Sequence, residues 1–98
     1  MRDKYFFVYM MASKRNGTIY IGVTSDLPSR ATIHREGLTE GFTRRYGVHR
    51  LVLYELLETA EPAIRREKQL KKWNRAWKIH LIEAVNPTWT DLSETLNC

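Results

Sequence analysis

The chain opens on a nearly unbroken apolar run, Tyr5-Phe6-Phe7-Val8-Tyr9-Met10-Met11, built from residues that favour extended backbone. A continuous run, unlike an alternating one, predicts a central strand covered on both faces. Ser13-Lys14-Arg15-Asn16-Gly17 follows, and Asn-Gly is the strongest local turn signal in this stretch. Thr18 to Thr24 then alternates with period two, which predicts the second strand of a hairpin.

Helical signals come next. Asp26 is a favourable N-cap, Pro28 is tolerated in a first turn, and Gly37 suits the position just past a helix end. A short helix is expected over Leu27 to Glu36. Gly37 to Gly47 reads as a loop carrying Phe42, Arg44, Arg45 and Tyr46, and His49 to Leu57 as a third strand. Thr59-Ala60-Glu61-Pro62 opens a second helix running to about Trp73. Asn74 marks a break, and a third helix runs to about Ala84, ended by Asn86-Pro87 because proline disfavours helix in the residue before it. Trp89 and Leu92 are expected to anchor the tail. The order β-β-α-β-α-α is that of an α+β fold, a small central three-stranded antiparallel sheet flanked by helices. With no repeat, low-complexity stretch or linker, residues 1–98 read as one domain.

Composition narrows the class of partner. A chain with 43% hydrophobic residues and three Trp, five Tyr and three Phe is not a disordered one. Sixteen Lys and Arg against eleven Asp and Glu give a net charge of +5, which favours anionic partners, phosphate backbones above all, or simply confers solubility. The one cysteine, Cys98, excludes an internal disulfide and a cysteine zinc site, and suits a reducing compartment. The run from Tyr5 to Ala12 is short for a signal-peptide core and lacks a small-x-small cleavage site. Nothing approaches transmembrane length. A cytoplasmic location with no membrane partner is therefore expected.

Three groups of residues could carry chemistry. On the hairpin, Tyr9 and Tyr20 share a face if the register is right, with Gly22 leaving a gap where a ligand can approach backbone; the bland alternative is two ordinary strand aromatics. On the first helix, Arg30 and His34 form an i,i+4 pair suited to holding a phosphoryl oxygen and relaying a proton, or else an exposed Arg and a satisfied His. On the second helix, Ala60, Ala63, Ile64 and Leu70 define an apolar arc that also contains Glu67. A carboxylate there needs a partner. A hard divalent cation and Lys71, at i+4, are equally suitable. Finally, Arg65, Arg66, Lys68, Lys71, Lys72, Arg75 and Lys78 crowd around Trp73 and Trp77, giving either a phosphate-tracking surface with stacking aromatics or a solvated helix face. Nothing links His49 or His80 to a site, and both read as structural. No glycine-rich phosphate loop, nucleophile elbow or carboxylate cluster is present.

These residues, in this order, resemble the GIY-YIG endonuclease superfamily, in particular its short stand-alone bacterial members. Tyr20-Ile21-Gly22 stands intact as the second half of the name-giving motif, and Phe7-Val8-Tyr9 is a degenerate first half. Ten residues separate Tyr9 from Tyr20, within the usual spacing. Arg30 with His34, Gly41-Phe42-Thr43, Arg66-Glu67-Lys68 and Asn86-Pro87-x-Trp89-x-Asp91-Leu92 follow in the expected places. The match spans about residues 4 to 92. Many members carry a lysine just after Tyr-Ile-Gly, where this chain has Val23.

The resemblance implies phosphodiester hydrolysis at a single Mg²⁺ or Mn²⁺ ion, with no organic cofactor. Glu67 would hold the metal, Tyr9 would activate water with Tyr20 sharing that role, Arg30 would stabilise the transition state, His34 would assist proton movement, and Asn86 would support the site. Arg44, Arg45, Lys68, Lys71, Lys72 and Arg75 would contact nucleic acid, DNA foremost, by backbone charge and shape. The chain is expected to act as a monomer or weak homodimer. The leading reading is a structure-selective or weakly specific DNA endonuclease. The competing ones are a nucleic-acid-binding module with little or no catalysis, and a protein-interaction domain. The nuclease reading requires that two phenols, a guanidinium and a carboxylate meet in one cleft.

Overall fold

The computed structural model describes residues 5–35 and 46–96. Three strands form one antiparallel sheet: β1 (Phe6–Ala12), β2 (Ile19–Thr24) and β3 (Arg50–Leu57), in the order β2-β1-β3. The continuous apolar run is thus the central strand, as its lack of alternation predicts. Helix α1 (Leu27–Arg35) follows the hairpin, α2 (Ala60–Lys72) and α3 (Arg75–Val85) follow β3, and a 3₁₀ turn (Leu92–Leu96) closes the order. Most of the expected 37–47 loop, with Phe42, Arg44 and Arg45, lies outside the described residues.

The hairpin works as its sequence suggests. Asn16 adopts φ 61°, in the left-handed region that asparagine tolerates best after glycine. A Cβ on Gly17 would collide with Ser13 Oγ, so only glycine fits there. The Ser13 hydroxyl instead accepts the Thr18 N–H at 2.9 Å. The resulting register pairs Tyr9 with Gly22 and Met11 with Tyr20.

Strand alternation then sorts the core into two clusters, one on each face. Tyr9 and Met11 pack with Leu27 and Ala31 of α1, and with Val48 and Leu51. Val8, Met10 and Ala12 pack on the other face with Ala63 and Leu70 of α2, Ile82 of α3 and Trp89. Between Met10 and Met11 the β1–β3 register skips a residue, since Met10 pairs with Leu53 and Met11 with Leu51. The extra residue, Val52, joins Leu53 in the α2 cluster. A bulge allows two successive residues to serve one face.

Helix ends follow local chemistry. Asp26 Oδ1 accepts the Ser29 N–H at 3.3 Å, the expected N-cap of α1. Asn74 is more than a break: its side chain accepts the Trp77 N–H at 2.8 Å and starts α3. Ile64 departs from the expected arc and is 43% exposed, so the buried stripe of α2 runs through Ala63 and Leu70.

The tail is a structural clamp. Trp89 is fully buried with φ 58°, and its indole N–H donates to Glu83 at 2.8 Å. Its carbonyl accepts from Arg50, and Asp91 Oδ1 accepts from the Leu51 N–H. Asn86 is 5% exposed; its amide donates to the Val52 and Thr90 carbonyls at 3.0 and 2.9 Å and accepts the Thr90 N–H at 3.1 Å. Asn86→Ala leaves buried partners unsatisfied and should lower unfolding free energy by about 2–3 kcal/mol. The measurement is the urea midpoint, and an unchanged midpoint would refute the clamp.

Candidate active site

The site is built around a gap. Tyr9 sits directly across from Gly22, and a Cβ on that glycine would lie 2.6 Å from both Cζ and Oη of the tyrosine. The phenol therefore occupies the space that a side chain at position 22 would fill. Tyr20, diagonal to Tyr9 on the same face, brings its ring centroid to 6.2 Å at an interplanar angle of 47°. Arg30 enters from α1, which Leu27 and Ala31 anchor under that face, and its guanidinium hydrogen-bonds the Tyr9 phenol, as Tyr20 does. Two phenols and a guanidinium thus converge, the phenols through the hairpin register and the guanidinium from α1.

Electrostatics fix the resting state of this cluster. Burial pushes the Tyr9 phenol above the ordinary value near 10, Tyr20 adds to the rise, and the Arg30 hydrogen bond and charge oppose it. Tyr9 is therefore a neutral phenol at physiological pH. Because its folded pKa is raised, the stability gained from keeping it protonated is complete below pH ~10 and is lost as pH climbs through the folded value. Alkaline titration followed by ultraviolet absorbance should show a late-ionising component that Tyr9→Phe removes. A late titration that survives that substitution would contradict the assignment.

The remaining expected residues do not all join the cluster. His34 follows Arg30 by one turn of α1 backbone, and its side chain lies outside those described, as do Arg44 and Arg45. Glu67 lies between Ala63 and Leu70 on the buried stripe of α2, so it faces the opposite side of the sheet from Tyr9. There Lys71 Nζ binds its carboxylate at 2.6 Å, with the Glu67 side chain only 13% exposed. The four-group cleft is thus met by three groups. Alternation along β1 puts α1 and α2 on different faces, and Glu67 goes with α2. Val23 packs on the Glu67 side. β2 is an edge strand, so a ligand lying along that edge borders both faces.

Asn86 is engaged by backbone. Its amide is taken up by the Val52 and Thr90 backbone at the β3 side of the sheet, contacts that hold the fold. Among the basic residues, Arg75 donates to the Asn16 and Gly17 carbonyls at 2.6 and 2.7 Å, pinning the hairpin turn to α3. Arg66 makes a bidentate bridge to Glu55 at 2.9 and 3.0 Å. Arg65 pairs with Glu61 and Lys71 with Glu67. Lys68 and Lys72 remain exposed with no ion pair among the described residues. Sequence reasoning missed the Arg66–Glu55 and Arg75 contacts, since neither partner lies at a local spacing. His49 and His80 are both exposed.

The donor set sets limits on a metal. No group of three His, Cys, Asp or Glu side chains able to hold an ion exists among the described residues. Glu67 alone fits a hard, water-rich ion such as Mg²⁺ or Mn²⁺, which one carboxylate can hold, provided Lys71 turns away. It does not fit a four-ligand zinc site.

A three-stranded sheet with paired hairpin tyrosines over a glycine, and an arginine from the next helix, makes a small α+β domain with a polar cluster on one sheet face. Residues 5–80 match the GIY-YIG catalytic domain, and the chain belongs to that family, whose members are nucleases acting on nucleic acid. A UPF0213 protein of Staphylococcus aureus (strain Mu3 / ATCC 700698) is 35% identical over 78 residues, covering 79% of this chain and 93% of the relative. UPF0213 protein SAV0488 of Staphylococcus aureus (strain Mu50 / ATCC 700699) has the same 35% identity over 78 residues. The solution NMR structure of UPF0213 protein BH0048 from Bacillus halodurans is similar with a TM-score of 0.56 and 27% identity, covering 92% of this chain and 95% of that one. No helix among the described residues is long and apolar enough to cross a membrane.

Proposed function

We propose that this chain is a divalent-metal-dependent endonuclease that hydrolyses phosphodiester bonds in DNA, with structure selectivity or weak sequence specificity. The single cleft expected of four groups is not formed, since Glu67 lies across the sheet; the reading is carried instead by the Tyr9–Tyr20–Arg30 cluster over Gly22 in a chain whose residues 5–80 match the GIY-YIG catalytic domain. Arg30 holds a phosphoryl oxygen and stabilises the charge that builds on it during in-line attack by water. Tyr9, neutral at rest, takes the water proton while passing its own to the imidazole of His34, so no free phenolate is needed. A Mg²⁺ or Mn²⁺ ion held by Glu67 supplies Lewis-acid polarisation of the phosphate when bound. DNA lying along the β2 edge would meet Arg30 and the phenols from one face and Glu67 from the other.

Cleavage of supercoiled, branched and single-stranded DNA with Mg²⁺, Mn²⁺ or chelator tests the proposal, comparing wild type with Glu67→Ala. Metal-dependent cleavage lost in the variant supports it. Equal cleavage by both proteins overturns the metal assignment.

A second reading, a nucleic-acid-binding module with weak or no catalysis, is favoured by Glu67 being paired with Lys71 and by Val23 standing where many family members carry a lysine. It predicts DNA binding that weakens steeply with salt, and no cleavage with any metal.

A further inference from the structure

The chemistry above leaves unused the bulkiest exposed apolar side chain among the described residues. Trp77 is 58% exposed on α3, whereas Trp73 packs against the core. An indole so open to water has lost most of the burial that usually holds tryptophan in place. It is nonetheless held in position. Its backbone N–H is bound by the Asn74 side chain at 2.8 Å, and its ring meets that of Trp73 at right angles with centroids 5.7 Å apart. Trp73 in turn lies under the Arg66 guanidinium at 5.3 Å, and Glu55 of β3 anchors that guanidinium. A line of contacts thus runs from the sheet to the exposed ring.

The charge around the ring selects its partner. From Arg65 to Lys78 the chain carries seven cations and a single acid, Glu67, which is 13% exposed and already bound to Lys71. Lys72 closes α2 beside Trp73, Lys78 adjoins Trp77, and His80 lies one helical turn further along the same side of α3. Arg65 and Arg66 are matched by Glu61 and Glu55 outside this stretch, but Lys72 and Lys78 have no ion pair among the described residues. An exposed aromatic plane beside such cations suits a polyanion with flat, apolar faces. The cores of protein–protein interfaces are depleted in lysine, so Lys72 and Lys78 beside the ring favour nucleic acid over a protein partner.

We propose that Trp77 is a stacking platform for an unpaired nucleobase, a binding element separate from the Tyr9–Arg30 cluster. It rests on the reading that the chain binds DNA and adds which feature of DNA this surface grips. In a duplex every base face is already stacked, so Trp77 engages a base only at a single-stranded stretch, a branch or a frayed end. Phosphates flanking that base sit against Lys72 and Lys78.

The test is fluorescence anisotropy in chelator, so that no strand is cut, with labelled oligothymidylate and a blunt duplex of equal length. Wild type is compared with Trp77→Ala and Trp77→Phe, each checked for native circular dichroism. Trp77→Ala should weaken single-strand binding about 5- to 100-fold and duplex binding less than twofold, while Trp77→Phe retains most of the affinity. Unchanged single-strand affinity in Trp77→Ala, or an equal loss on both DNAs, overturns the platform while leaving DNA binding intact. Failure of wild type to bind either DNA overturns both the platform and the DNA reading beneath it.

Discussion

Arg30→Ala should slow phosphodiester cleavage by about 10²–10³-fold, the usual cost of removing one preorganised group from developing charge. The size of the effect follows from where Arg30 sits. It leaves α1 half-buried against a Tyr9 that is 1% exposed, so its charge acts in a partly desolvated pocket. A second effect adds to the first. Arg30 opposes the burial-driven rise of the Tyr9 pKa, so its loss leaves that phenol still harder to deprotonate. Arg30→Lys should recover only part of the rate, because an ammonium is a point charge without the planar fork that grips two oxygens. Single-turnover rates and DNA affinity, measured on the same variants, separate chemistry from binding. A loss confined to affinity would make Arg30 a binding residue only.

How much of this could be seen in the sequence depends on the range of the interaction. The hairpin was legible because Asn16-Gly17 fixes the turn and the turn fixes the register; with Tyr9 opposite Gly22, the tyrosines must share a face. Asp26 and Asn74 were legible as punctuation because capping is a local hydrogen bond. Ile64 was misplaced since helical periodicity marks an apolar arc but not how far the neighbouring sheet extends beneath it. Glu67 was legible as a carboxylate on the buried stripe, with Lys71 and a divalent ion both open as its partner, yet one-dimensional spacing carries nothing about which face of the sheet a helix covers. The contacts of Asn86, Arg75 and Arg66 were not legible for one shared reason. Their partners, Val52, the hairpin turn and Glu55, are brought close only by tertiary folding.

Gly22→Ala isolates the geometry on which the site depends. The backbone at Gly22 is not in the left-handed region, so alanine costs no strain of its own there. What the new methyl meets is the far end of the Tyr9 ring at 2.6 Å. An exposed ring would swing aside at little cost, but Tyr9 is enclosed by Met11, Leu27, Ala31 and Leu51. The ring must displace its neighbours or tilt away from Arg30. Overpacking of this kind destabilises by about 1–3 kcal/mol. A shift of the phenol by about 1 Å should lower the cleavage rate on the order of 10²-fold. A double variant tells packing from chemistry. Tyr9→Ala alone opens a cavity, and adding Gly22→Ala to it introduces a methyl that no longer collides, so the two stability losses should fall short of additivity by about 0.5–3 kcal/mol. Cleavage should stay lost in the double variant, because relieving the collision returns no phenol. Additive stability losses would mean that the two side chains do not meet, and full activity in Gly22→Ala would mean that Tyr9 does no chemistry.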